Sequence, residues 1–150
     1  MGKGVHIGRR IGFDFGEKRI GVAVSDLESI LVSPYATILN DDKLQLKVEE
    51  IIKEVNPIYI AIGDPKHLSG KTSHKSSSVR IFAELIRSLY MGPIYLIDER
   101  YTTSNSYSKL RELGYSEKQG RAVIDQIAAI SLLDSAIANE KAGQNIGEIY

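Results

Sequence analysis

The chain has 150 residues, 43% apolar and 25% charged, enough for one folded unit that buries its core without staples. Nineteen lysines and arginines balance nineteen aspartates and glutamates, so the overall charge does not by itself point to a polyanionic partner. The absence of cysteine excludes disulfides, thiolate metal sites and a thiol nucleophile.

The amino-terminal stretch MGKGVHIGRR is basic and lacks the apolar centre of a signal peptide. No apolar run reaches the length that spans a bilayer, so a soluble, cytoplasmic protein with no membrane partner is expected. In IGFDF, Ile11, Phe13 and Phe15 alternate with Gly12 and Asp14. In RIGVAVS, Ile20, Val22 and Val24 alternate with Gly21 and Ala23, so both segments read as strands joined by a hairpin at Gly16 to Lys18. ILVSPYATI is a third strand, and Pro34 suits it to an edge or a bulge.

From Asp42 the period changes. Leu44, Val48, Ile51, Ile52 and Val55 share a helical face that ends at Asn56-Pro57. IYIAI at 58–62 reads as a strand covered on both sides. Beyond a polar loop, Val79, Phe82, Ala83, Ile86 and Leu89 mark a second helix stopped by Gly92-Pro93, and IYLID at 94–98 is the next buried strand. A helix from Thr103 to Leu113 and a last one opened by Ser116 and Gln119, running to about Asn139, complete the chain. The order predicts an α/β fold with a mixed five-stranded sheet, a three-strand antiparallel meander plus two parallel strands, flanked by helices. Nothing divides the chain, so residues 1–150 read as one domain.

Charge is unevenly placed. Lys66, Lys71, Lys75 and Arg80 lie in a stretch with no acidic residue, and Lys3, Arg9 and Arg10 crowd the amino terminus. Each group is either a solvated surface patch or a set of phosphate contacts.

Carboxylates stand at three places that could form one site, although Asp98 and Glu99 could equally be polar residues where a strand leaves the core, beside Arg100, and Asp125 a capped polar exit. Asp14 opposes Phe13 and Phe15 and lies beside Gly12, where side-chain bulk is low; a buried carboxylate there needs a partner, either Lys18 or Arg19 across the hairpin or a cation. Asp98 and Glu99 end a strand, face opposite sides, and only one can point the way Asp14 does. Asp125 heads a stripe of Ala128, Ala129, Leu132 and Ala136. If these carboxylates converge, each close pair repels by about 4 kcal/mol at an intermediate dielectric, and a divalent cation removes that cost. Mg²⁺ or Mn²⁺ suits an all-oxygen site.

GFDFGEKRIGVAVSD, IDERYTT and RAVIDQIAAISLLDS resemble, in order and spacing, the signature blocks of the YqgF family, small bacterial proteins of the ribonuclease-H-like fold related to the RuvC Holliday junction resolvases. The resemblance spans nearly the whole chain. It implies a nuclease that matures the 5′ end of pre-16S rRNA, with resolution of branched DNA as the alternative activity. By motif it implies Asp14, Glu99 and Asp125 as catalytic residues and metal ligands for Mg²⁺ or Mn²⁺, with water attacking a backbone phosphorus. Lys18, Arg19 and Arg100 match basic positions that would contact nucleic acid. The loop from Lys66 to Arg80 is more basic and serine-rich than the family pattern, and through Lys71, Lys75 and Arg80 it would hold the strand being cut. The chain departs from the family at Gly63-Asp64-Pro65, where an apolar residue is usual between glycine and proline. Asp64 is therefore either a fourth ligand or a turn residue.

Other chemistries fit less well. GKT at 70–72 lacks the upstream glycine of a phosphate-binding loop, since Pro65 stands there. His67 and His74 lack ligands at metal spacing, which leaves phosphate contacts or surface positions. An actin-like ATPase lobe shares the opening turn but needs a second lobe, and a non-catalytic RNA-binding factor would keep the fold alone. A monomer or a weak homodimer is expected.

Overall fold

The computed structural model describes residues 7–64, 74–98, 114 and 117–150, with only the backbone placed for 74–77 and 117–125. The described elements are β1 (Arg10–Asp14), β2 (Arg19–Ser25), β3 (Val32–Leu39), α1 (Leu44–Val55), β4 (Tyr59–Asp64), α2 (His74–Leu89), β5 (Ile94–Asp98), α3 (Glu117–Lys141) and β6 (Glu148–Ile149). They form one sheet in the order β3-β2-β1-β4-β5-β6. The β3-β2-β1 meander is antiparallel, and β1-β4 and β4-β5 are parallel.

Local sequence explains most of these boundaries. Gly16 turns the first hairpin because a Cβ there would sit 2.3 Å from the Arg19 carbonyl oxygen. Pro34 lies on the outer strand, where its missing N–H costs no ladder bond, and the register shifts beside it between Val22 and Ala23. α1 ends on Asn56 in the left-handed region at φ 51°, its N–H donating to the Ile52 carbonyl.

The sheet separates two apolar layers. Ile11, Phe13, Ile62 and Leu96 pack with α1 and α2 residues such as Val48, Ile52, Phe82 and Ile86. Ala23, Ala61 and Ile97 face α3 through Ile127, Ala129, Leu133 and Ala136. Helices thus flank the sheet, as the sequence predicts.

The strand count differs from the sequence expectation. Among the described residues there are six strands, because β6 pairs antiparallel with β5. Two residues carry no alternating pattern, and what admits them is Gly147, where a Cβ would come within 2.6 Å of the Leu96 carbonyl oxygen. The expected helix from Thr103 to Leu113 and the capping residue Ser116 lie outside the described residues. No helix among the described residues is long and apolar enough to cross a membrane.

Candidate metal centre at the carboxyl edge of the sheet

Asp14 is the last residue of β1 and is half-buried. Strand alternation gives it the parity of Gly12, and Gly12 is the residue on which α3 rests: a Cβ there would lie 3.0 Å from Leu133 Cβ and 3.1 Å from the Ala129 carbonyl oxygen. The gap expected beside Asp14 at Gly12 is therefore filled by helix backbone. Glycine is needed for close approach of α3, not for open space.

The direction of α3 follows from three contacts. Glu140 meets Arg10 at the start of β1, Leu133 and Ala129 meet Gly12 in its middle, and Gln126 Nε2 donates to Thr37 Oγ1 at 2.9 Å. Thr37 pairs with Gly21, and Gly21 pairs with Asp14, so Gln126 is tethered in the transverse row of the sheet that contains Asp14. α3 thus runs antiparallel to β1 and brings its backbone at residue 125 to the Asp14 end. The Asp125 side chain lies outside the described residues, as do Glu99, Arg100 and Lys71. Among the described residues no group of three or more histidines, aspartates and glutamates could hold a metal, and Asp14 is the member of the expected trio whose side chain is described.

Asp64 ends β4 on the other side. It pairs in register with Asp98, is 3% exposed, and its Oδ2 lies 3.9 Å from Arg80 Nη2 of α2. Arg80 Nη2 also lies 3.3 Å from Glu148 Oε1 of β6. Asp64 and Asp98 share the parity of Ile62 and Leu96, the α1/α2 layer, whereas Asp14 belongs to the α3 layer. Of the adjacent pair, Asp98 is thereby the one that turns away from Asp14.

Lys18 and Arg19 are exposed at the hairpin beside Asp14. Lys75 and His74 open α2 with side chains outside the described residues, and His6, Lys66 and His67 lie outside them altogether.

Arg10 departs from both readings of the amino-terminal basic group, solvated patch and phosphate contact, whereas Arg9 is exposed. It is fully buried, its Nε donating to Glu140 Oε1 at 3.0 Å and its Nη2 to Glu140 Oε2 at 2.8 Å, with Nη1 donating to the Gly8 carbonyl. The guanidinium stands 5.6 Å from the centre of the Tyr59 ring, and the Tyr59 hydroxyl donates to Glu140 Oε1 at 3.0 Å. Burial, then the neighbouring Glu140 carboxylate, push the Tyr59 hydroxyl far above its ordinary pKa, so it stays protonated and donating. The signal for this cluster was the parity of Arg10, which equals that of Gly12 and Asp14. For the Gln126–Thr37 tether no signal was present.

Residues 8–139 match the pattern of the RuvX family, described as Holliday junction resolvase. The chain belongs to the RuvX family. This is the family also called YqgF, which the sequence blocks resemble. A relative from Streptomyces avermitilis, named "Putative pre-16S rRNA nuclease", is 38% identical over 149 residues, covering 97% of this chain and 96% of the relative. One from Mycobacteroides abscessus with the same name is 35% identical over 130 residues, covering 84% and 78%. Among solved structures, Thermus thermophilus RuvC in complex with Holliday junction substrate superimposes with a TM-score of 0.60 at 12% identity, covering 89% of this chain and 97% of that one. The RuvX chain thus has the RuvC-like α/β fold, and it is a nuclease, a hydrolase of phosphodiester bonds.

Proposed function

We propose that this protein is a metal-dependent nuclease, one ribonuclease-H-like domain over residues 1–150, that matures the 5′ end of pre-16S rRNA in the cytoplasm, with Asp14, Glu99 and Asp125 holding Mg²⁺ or Mn²⁺. The observation that carries the metal site is the course of α3, which packs on Gly12 and brings residue 125 to the strand end that presents Asp14. The donor chemistry fits a hard cation, since all three groups are carboxylates and the chain has no thiol to compete. Parity argues against Asp98 and Asp64 as partners of Asp14, since both belong to the α1/α2 layer and Asp64 lies beside Arg80, and this leaves Glu99, the residue that the family block points to. When bound, the ion would supply Lewis acidity toward water and the scissile phosphate. The chain's own part is to place acceptors at one edge and cations beside it. Lys18 and Arg19, exposed next to Asp14, would grip phosphates, and Arg100, Lys71 and Lys75 would extend that contact. Arg80 already faces two carboxylates, so a phosphate reaching it would compete with Asp64 and Glu148.

The substrate follows the relatives, whose names specify pre-16S rRNA. A second reading, cleavage of branched DNA, is favoured by the family description and by the fold shared with RuvC. The test is incubation with a 5′-extended 16S precursor fragment and with a four-way DNA junction, in Mg²⁺ and in chelator, beside an ATP hydrolysis assay. Trimming of the RNA in Mg²⁺ alone is expected. Cleavage of the junction but not the RNA would transfer the assignment to the second reading. Asp14→Asn should abolish cleavage at an unchanged melting temperature; full activity in that variant removes Asp14 from the site.

A further inference from the structure

Between its ends, α3 meets the sheet through Ala129, Leu133, Ala136 and Ile137. Such an interface is non-directional. A slide by one full turn, about 5.4 Å, is opposed by the seat of Ala129 and Leu133 on Gly12, whereas displacements of a fraction of a turn meet less resistance from apolar groups. Yet a helix that delivers a metal ligand must be placed to within about half an ångström. Packing on Gly12 seats α3 against the sheet, and directional polar contacts at its two ends can fix its axial position more finely.

Two of the polar contacts that α3 makes bind it to strands and are situated to do so, while Lys141 Nζ, donating to the Ser29 carbonyl at 2.8 Å, ties its last residue to the segment between β2 and β3. Near the carboxyl edge, Gln126 Nε2 donates to Thr37 Oγ1 at 2.9 Å, in the row that holds Asp14 and one residue along α3 from Asp125. At the opposite end, the fully buried Arg10 grips Glu140 with two bonds of 3.0 and 2.8 Å, and the Tyr59 hydroxyl fixes the same carboxylate. A buried ion pair contributes little net stability compared with well-packed apolar groups, and its best-attested role is to select one register among several. The two contacts join α3 to strands at both ends of the sheet, β3 at one and β1 with β4 at the other.

We propose that Gln126–Thr37 and Arg10–Glu140 form a two-point clamp that sets the axial position of α3, making these four positioning residues for the metal site. The inference rests on the reading that Asp14 and Asp125 share an ion. None of the four is a proposed ligand. They act through the backbone of α3 at residue 125, which the clamp holds at the strand end that presents Asp14.

The test is Mn²⁺ binding by titration calorimetry, with thermal melting alongside and no substrate present. Thr37→Val and Gln126→Leu should weaken Mn²⁺ binding about tenfold, the scale on which outer partners of metal ligands act. Their melting temperatures should stay within a few degrees of the parent. Thr37→Ser, which keeps the hydroxyl, should restore binding. The paired replacement R10M/E140L should melt near the parent temperature and bind Mn²⁺ as weakly as Thr37→Val. Tyr59→Phe, which removes one oxygen, should give a smaller loss in the same direction, and it decides the far contact if the paired variant does not fold. Ile137→Val, a packing change in the same interface, should lower the melting temperature and leave Mn²⁺ binding unchanged. If Thr37→Val and Gln126→Leu bind like the parent while Asp14→Asn does not, the clamp is overturned and the metal site stands. If Asp14→Asn also binds like the parent, the metal-site reading falls and the clamp falls with it. A loss in Ile137→Val equal to that in Thr37→Val would likewise overturn the clamp, because ordinary packing would then suffice.

Discussion

At Gly12, a hydrogen in place of a side chain decides how close α3 comes to the sheet. A methyl group there would press on Leu133 Cβ at 3.0 Å and on the Ala129 carbonyl oxygen at 3.1 Å, and the second neighbour is backbone that cannot rotate aside. Gly12→Ala should therefore cost about 1–3 kcal/mol by overpacking, read from urea unfolding. Gly16→Ala should be worse, since its Cβ would sit 2.3 Å from the Arg19 carbonyl oxygen and the hairpin would have to re-form. Two tyrosines give the fold an alkaline limit. Tyr90, whose hydroxyl donates to the Pro57 carbonyl at 2.9 Å, is pushed up to about 12 by burial, and Tyr59 is raised further by burial and Glu140. Because the fold holds these protons more tightly than the unfolded chain, their stabilising contribution is complete below pH 10. It declines as pH rises from 10 toward 12. Melting temperature should fall over that window, and Tyr90→Phe should flatten part of the fall; an equally steep fall in that variant would exclude Tyr90 as a cause.

Among the elements, α1 is the one whose sequence and structure agree most simply. Its apolar face and its stop at Asn56 are both local properties, and the stop is made by a residue that tolerates φ 51°. Asn56→Val should cost about 1 kcal/mol, and Asn56→Gly should be neutral or slightly stabilising, by thermal melting. β1, β2, β4 and β5 were equally legible because burial imposes a period on them. Pro34 correctly marked β3 as an edge. β6 was not legible, since two residues have no period and their place depends on the distant β5 edge. Arg10 was misread for a related reason: charge suggests solvent, and only the arrival of Glu140, 130 residues later, reverses that. At the candidate site, the sequence supplied the carboxylates through their resemblance to family blocks, while the depth and course of α3 came from Gly12 and Gln126, whose partners lie on other elements.

For the whole molecule, a net charge of zero coexists with exposed Lys18 and Arg19 at the edge that would meet nucleic acid. Affinity for RNA should fall steeply with added salt, and the double replacement of Lys18 and Arg19 by glutamine should lower the slope of log affinity against log salt by about 1.4 to 1.8, for single-stranded or duplex substrate respectively, in filter binding. An unchanged slope would move the phosphate path elsewhere. The two rims of the sheet are protected differently. On one side Pro34 and the register shift beside it interrupt the row of donors that another chain would need in order to pair. On the other, two residues of β6 and the Tyr150 N–H bonded to the Ile94 carbonyl at 2.9 Å cover β5. Protection of that rim therefore rests on two residue pairs and one further backbone bond. Loosening β6, for example with Gly147→Val, whose Cβ would press on the Leu96 carbonyl oxygen, should therefore open the β5 edge and promote self-association through that strand, read by light scattering.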